Sequence, residues 1–294
     1  MKRILIVVVL VVLAGVAGLM RAQRSRSDAP AAQQAAGEIW SSDGEVREDL
    51  RKTYQLAPDA QLSISGINGR VDIKTSETDT AEVHVVRTAT SRENLDRRQV
   101  IIEQTSAGLI IRAENHGSWW SHLWGSTPKE EITVSAPRRI ALTLKGINGR
   151  VNGGDVDGAI DVTGVNGKVE LSQAKGSAKI SGINGNISLG LRDLNERGVQ
   201  ASGVNGSLEL RLGAGLNADL VAKGMNGRVR SDIPEVSVQE GEYGSHYSAH
   251  IGSGGTPINI SGINGNVSLT RLGAAVGEKV TPEKKSAASA KPAL

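Results

Sequence analysis

The chain contains no cysteine and no phenylalanine, and aromatic residues make up only 2% of its 294 positions. Without cysteine there are no disulfides, no thiolate metal ligands and no thiol nucleophile. A lipid anchor on an N-terminal cysteine is excluded with them. Without phenylalanine the core must be narrow and aliphatic. A strong charge of one sign is also lacking. The formal net charge is +3, and the ends carry it: Lys2, Arg3, Arg21, Arg24 and Arg26 at one, Lys279, Lys284, Lys285 and Lys291 at the other. The body between them is close to neutral, so it has no electrostatic footprint for nucleic acid.

Glycine is plentiful, with 36 residues, and much of it belongs to one repeat. Gly-X-Asn-Gly, with Ile, Val or Met at X, places asparagines at Asn68, Asn148, Asn166, Asn184, Asn205, Asn226 and Asn264. From Asn148 to Asn226 the steps are 18, 18, 21 and 21, and the last step to Asn264 is 38. A fixed period of this length points to stacked copies of one small unit. Apolar and polar residues alternate on both sides of the Asn-Gly pairs, as in Ile160, Val162 before one and Ile187, Leu189 after another. Alternation of period two is a half-buried strand, and Asn-Gly is a turn signal because both residues tolerate positive φ.

Each copy is therefore strand, tight turn, strand. Copies joined side by side would form a meander of hairpins; copies stacked would form a single-stranded, β-helix-like solenoid. Near-identical turns favour stacking, because each turn then meets its own kind. The expectation is an all-β single-stranded β-solenoid of short strands with Asn-Gly corners, its handedness open. The seven asparagines would run along it as a hydrogen-bonded ladder, with the Ile, Val or Met of each corner facing inward.

The rest of the chain divides around this stack. Lys2 and Arg3 precede an apolar run over 4–20, too short for a comfortable span and long for a signal core. Residues 1–20 read as a signal peptide or an N-terminal membrane anchor, and either one exports the remainder of the chain. Residues 21–48 read as a flexible spacer. Residues 49–139 read as an N-terminal β region forming the first layers or a cap, with a short helical turn at 91–98. Residues 140–272 hold the repeats, with an irregular insertion near 231–257, expected to be one irregular coil plus a protruding loop. Asn195-Glu196-Arg197-Gly198 is read as the local expansion that turns a step of 18 into 21. Residues 273–294 read as a disordered tail.

Few residues suggest chemistry. Trp119, Trp120 and Trp124 cluster in one loop, flanked by His116 and His122. Such a loop either covers the flank of the stack or contacts a sugar, a lipid surface or a protein. His246 and His250, near Glu240 and Glu242, lack a metalloprotease spacing and sit among glycines, so no metal and no cofactor are expected. The polar positions after the corners, Asp72, Glu170, Ser188, Glu209, Arg230 and Ser268, vary in charge and form no obvious catalytic pair. No phosphate loop or nucleophile elbow occurs.

The repeated Gly-Ile/Val-Asn-Gly-X-Val/Ile-X-Leu from Gly146 to Asn226, the aromatic segment from Trp119 to Pro137 and the export segment together resemble the bacterial DUF4097 family, also labelled putative adhesin. The resemblance covers roughly residues 60–270. It implies an exported or single-pass envelope protein with a β-solenoid domain, and it implies no catalytic residue. The expected function is a non-enzymatic cell-envelope protein, an adhesin or binding scaffold, exported to the periplasm or exterior or held by one N-terminal segment. Its partner would be an envelope protein, a polysaccharide or a membrane surface, with self-association open and nucleic acid excluded. The alternatives are a polysaccharide-active solenoid enzyme and a purely structural spacer or assembly module.

Overall fold

A computed structural model describes residues 38–42, 44–116, 127–241 and 244–273. The chain is all-β. The twenty strands among the described residues belong to one continuous sheet that curls almost into a barrel around an aliphatic core. The segments 1–20, 117–126, containing Trp119, Trp120 and Trp124, and 274–294 lie outside the described residues.

Two walls of strands meet at the Asn-Gly corners. Before the corners run β3 (Ala60–Ser65), β9 (Ile140–Lys145), β11 (Ile160–Thr163) and the far ends of β12 (Val169–Asn184) and β13 (Ile187–Asn205). After the corners run β4 (Asn68–Ser76), β10 (Asn148–Val156), the near ends of β12 and β13, and β14 (Leu208–Leu212). Equivalent strands pair in parallel and in register: Asn68 with Asn148, Val151 with Val169, Ile187 with Leu208. Parallel pairing rules out a meander of hairpins. Alternation then sends every second side chain inward, and Leu142, Leu144, Val162, Ile180, Leu189 and Leu210 are almost wholly buried. The residue inside each corner is buried too: Ile67, Ile147, Val165, Ile183, Val204, Met225 and Ile263.

The corner itself differs from the turn expected. None of the seven asparagines has positive φ; the glycines on either side do. The first glycine of each copy lies near +60° to +71° and the second near +146° to +153°. The second comes so close to the layer below that a Cβ on Gly149 would sit 1.8 Å from the Gly69 carbonyl oxygen. Glycine is thus required by close approach between layers rather than by a hairpin turn. The expansion at 195–198 is present: Gly176 pairs with Leu194, but Ala178 pairs with Val199.

Layer order departs from sequence order at both ends. The outermost N-terminal layer is built from β7 (Gly108–Asn115) and β8 (Lys129–Pro137), which pair with β3 and β4. The first repeat copy therefore lies between a later segment and the Asn148 layer. At the other end β19 (Thr256–Asn264) and β20 (Val267–Arg271) insert between the Asn205 layer and the Asn226 layer. The Asn226 layer consists of β15 (Ala218–Lys223) and β16 (Val229–Ser231). The 38-residue step is thus not an extra coil with a loop. It carries the chain outward through β17 (Val238–Glu240) and β18 (Tyr247–Ile251), which form an antiparallel edge on β15, and then back into an interior slot.

The return is made by a short strap, residues 252–255. Ile251 and Thr256 flank Ala218 from opposite sides, so the strap crosses over the start of β15. Gly252, Gly254 and Gly255 all have positive φ. The Ser253 amide donates to Asn217 Oδ1 at 2.8 Å, and the Gly255 amide donates to Asp219 Oδ2 at 2.8 Å. The Gly255 amide, and after it His250 at 2.7 Å, hold the Asp219 carboxyl below its ordinary value of 3.8. A depressed carboxyl supports the strap fully above that value and releases it as pH falls through the folded one. In a carboxyl and amide NMR titration, the Gly255 amide should follow Asp219 with a midpoint below 3.8. Asp219→Asn should abolish that step; an unchanged titration of Gly255 would separate the strap from this carboxylate.

The N-terminal end is closed by antiparallel strands. β5 (Thr80–Ala89) covers β8, β2 (Glu45–Gln55) covers β5, and β1 (Glu38–Ser42) covers β2. β6 (Arg98–Thr105) covers β7. The one helix among the described residues, α1 (Arg92–Arg97), is capped by Ser91 and buries Leu95. Strands therefore begin at Glu38, inside the stretch read as a spacer to residue 48. Pairing to β5 lets polar residues of β2 stay on the outer face while Leu50 is buried. Such closure is what an open parallel edge needs if it is not to template aggregation.

Candidate functional site

Two features of the stack present regular polar groups to solvent. The first is the row of corner amides. Asn148 Nδ2 donates to Asn68 Oδ1 at 3.1 Å, and the same bond repeats from Asn166 to Asn148 and from Asn184 to Asn166, each at 3.2 Å. It continues from Asn205 to Asn184, from Asn264 to Asn205 and from Asn226 to Asn264. The row follows the order of the layers, so Asn264 precedes Asn226. Each amide commits one donor and one acceptor to its neighbours, which makes the row a structural element.

The row ends at the N-terminal layer on a backbone carbonyl, with a charged group beside it. No asparagine stands there; Asn68 Nδ2 donates to the Pro128 carbonyl at 3.2 Å, and the Asn68 amide donates to Glu130 Oε2 at 2.8 Å. Glu130 is wholly buried. Arg98 grips it, Nε to Oε1 at 2.6 Å and Nη2 to Oε2 at 3.2 Å, and also donates to the Gly66 carbonyl. β7 ends at Asn115 and β8 begins at Lys129 on this same edge.

Loss of one rung is a modest change. Asn166→Ala removes two exposed hydrogen bonds, each worth about 0.5–1.5 kcal/mol net, so chemical denaturation should report a loss of about 1–3 kcal/mol. Asn166→Asp should also be destabilised, because aspartate keeps the acceptor for Asn184 but turns a carboxylate oxygen rather than a donor toward Asn148 Oδ1. A stability equal to wild type in both variants would show the row to be ornamental.

The second feature is the outer face after the corners. Register places Asn152, Glu170, Ser188, Glu209 and Ser268 in one column across successive layers. Arg150, Lys168, Asn186, Ser207 and Asn266 form the column beside it. All of these but Asn266 line an open groove of about 660 Å³. It runs from the Asn148 layer to the Asn264 layer, four steps or about 19 Å. Asn186 and Ser188 of the Asn184 layer line its middle, with the longer Lys168, Glu170, Glu209 and Arg211 on either side.

The carboxylates in the groove are engaged differently. Glu170 pairs with Lys168 at 2.5 Å. Glu209 accepts from the Ser188 hydroxyl at 2.6 Å and from the Thr270 hydroxyl at 3.3 Å. Arg211 reaches across the Gly190 position to the Leu171 carbonyl at 2.8 Å, two layers away. Four of the six polar positions that showed no pairing in the sequence line the groove, and the register carries the same column on to the other two, Asp72 beside Asn152 and Arg230 beside Ser268. Only the layer order reveals that Ser268 lies beside Glu209 and Glu170 lies two steps from it.

The remaining candidates stay apart. His84 meets Asp49 at 2.8 Å on the N-terminal cap. His246 meets Ser245, and His250 meets Asp219. Among the described residues no three His, Asp or Glu side chains form a group that could hold a metal ion. No helix among them is long and apolar enough to cross a membrane.

No protein-family model matches the chain, and no curated protein matches it. Solved structures do. One, described as a putative cell adhesion protein from Clostridium sporogenes, is 11% identical, covers 76% of this chain and all of its own, and superposes with a TM-score of 0.41. Another, described as a putative adhesin from Parabacteroides distasonis, is 12% identical over 77% of this chain and 98% of its own, with a TM-score of 0.27. A third, from the same organism and described as a putative lipid binding protein, is 11% identical over 76% of this chain and 97% of its own, at 0.20. At such scores the likeness carries no functional argument.

Proposed function

We propose that this chain is a non-enzymatic cell-envelope protein, exported or anchored at its N-terminus, that works as an adhesin-type binding scaffold. On this reading it is a β-solenoid of the DUF4097 kind, and its ligand lies along the post-corner groove. The observation that carries the reading is the groove itself. Hydroxyl, amide, carboxylate and cationic groups recur there at the layer spacing, so a linear polymer along the stack meets a repeated set of partners. A hydroxyl-rich, partly anionic polysaccharide suits that set. The cations Arg150, Lys168 and Arg211 slightly outnumber the acids Glu170 and Glu209. Binding rather than turnover is favoured because both acids are already committed to a lysine or to hydroxyl donors.

The test is affinity electrophoresis of the full chain in gels containing an acidic polysaccharide, polygalacturonate, or a neutral one, dextran. Retardation should be stronger in the acidic gel. Arg150→Ala with Lys168→Ala should weaken it about tenfold or more, in line with the loss of two charged hydrogen-bonding groups. Equal mobility in all gels, with retention by phospholipid vesicles that Trp119→Ala, Trp120→Ala and Trp124→Ala remove together, would move the ligand site to the aromatic loop. Release of reducing ends, lost in Glu170→Gln or Glu209→Gln, would assign hydrolysis instead.

A further inference from the structure

The intercalated segment 256–271 has a property that the other layers lack. It fills a slot between two layers that are otherwise consecutive in sequence. The Asn205 layer and the Asn226 layer do not touch through their strands; each pairs only with the inserted one on that side. Ile258, Ile260, Ile263, Val267 and Leu269 complete the core there and are all almost wholly buried.

The contacts made in the slot are generic. Residues 260–269 read Ile-Ser-Gly-Ile-Asn-Gly-Asn-Val-Ser-Leu, and residues 180–189 read the same but for one isoleucine in place of valine. The Asn205 layer is therefore flanked on both sides by one sequence, paired through the same register. Nothing in these contacts requires that the inserted segment come from the same molecule. What ties it in place is the strap at 252–255, four residues that must span about 9.6 Å, two strand spacings, over the start of β15. It does so with three glycines of positive φ and two side-chain acceptors, Asn217 and Asp219. A tight reversal of this kind is the feature that invites exchange of an element between identical chains.

We infer that segment 256–271 is an exchangeable element, and that a second copy of this chain is the partner the slot accepts. In the exchanged pair the strap is extended. Each segment occupies the other molecule's slot with the register seen here, and no buried contact is lost. Two post-corner grooves are then held on one assembly, which raises avidity for a polymer that reaches both.

Cross-linking tests this, because the chain has no cysteine of its own. Gln200 and Asn259 are neighbours across the slot boundary and lie on the outer surface. Gln200→Cys and Asn259→Cys, made in separate chains, mixed at high concentration and oxidised, should give a covalent heterodimer. Its yield should exceed that of an off-register pair, Asp161→Cys with Asn259→Cys, on the order of a hundredfold, the advantage of effective over bulk concentration. Deleting Gly254 and Gly255 leaves two strap residues, whose full extension of about 10–11 Å matches only the straight span and leaves no length to arch over the start of β15 within one chain. That variant should run at two-chain mass in light scattering, with an unchanged circular dichroism spectrum. A deletion variant that stays folded at one-chain mass overturns the inference. So does a heterodimer yield equal to the off-register control, which decides the matter even where the deletion prevents folding.

Discussion

Glu130→Ala is expected to destabilise the N-terminal end of the stack by about 3–5 kcal/mol, among the largest effects of any side-chain truncation in this protein. Glu130 is fully buried, and Arg98 beside it is only 11% exposed. Removing the carboxylate strands the guanidinium in a poorly solvated site and leaves the Asn68 amide without its acceptor. The damage should spread, because Arg98 also donates to the Gly66 carbonyl at the first corner and to Asn115 Oδ1 at the end of β7. Urea denaturation of Glu130→Ala, Glu130→Gln and Glu130→Leu with Arg98→Met separates the causes. The glutamine keeps an acceptor for Asn68 and should lose less than alanine. The double apolar replacement should recover most of the loss, since a buried ion pair is rarely worth more than a packed apolar one. If alanine and wild type unfold at the same urea concentration, the end of the stack is held by the antiparallel cover alone.

That pairing shows where the sequence was readable and where it was not. The spacing of Asn148, Asn166, Asn184 and Asn205 announced parallel layers, because a corner of fixed composition can recur only where its neighbours are of the same kind. The inward position of Ile67 through Ile263 followed from the same logic, and so did the three-residue expansion at 195–198. Glu130 could not be found this way. It accepts the Asn68 backbone amide, a donor that the next layer, at Asn148, gives to the Ile67 carbonyl, and its partner Arg98 is brought to it through α1 and β6, elements with no repeat signature.

The order of layers was hidden for a related reason. Backbone pairing is identical for any two copies, so Asn205 can be followed by Asn226 or by Asn264 with equal hydrogen bonding. Sequence proximity argued for the first. The choice is made by segments that carry no repeat, the β17 and β18 edge on β15 and the glycine strap after it. The groove inherits that difficulty. Its columns combine residues from five layers, and Ser268 joins them only because its layer is inserted. Glu170 and Glu209 read along the chain are two unrelated acids; read along the stack they share one face.

The two glycines of a corner should respond very differently to a methyl group, and this contrast probes the stacking directly. Gly146 has φ of +62°, and a Cβ there would find nothing nearer than the Gly66 amide nitrogen at 3.8 Å. Gly146→Ala should therefore cost about 1–2 kcal/mol, the penalty for left-handed backbone in an L-residue. Gly146→Asn should cost less, since asparagine visits that region more readily. Gly149 has φ of +153°, and its Cβ would lie 1.8 Å from the Gly69 carbonyl oxygen, part of a backbone that cannot swing aside. Gly149→Ala forces the Asn68 and Asn148 layers apart, breaking the in-register pairing of Gly69 with Gly149 and the hydrogen bond from Asn148 Nδ2 to Asn68 Oδ1. A loss of at least about 4 kcal/mol is expected, the range reserved for clashes that the surrounding structure cannot absorb. The same pattern should hold at Gly164 against Gly167, where the clash with Gly149 is equally short. Thermal melts of the four alanine variants provide the comparison. Equal losses at both glycines of a corner would mean that backbone conformation alone selects them. Only an excess at Gly149 and Gly167 identifies the closeness of one layer to the next as the cause.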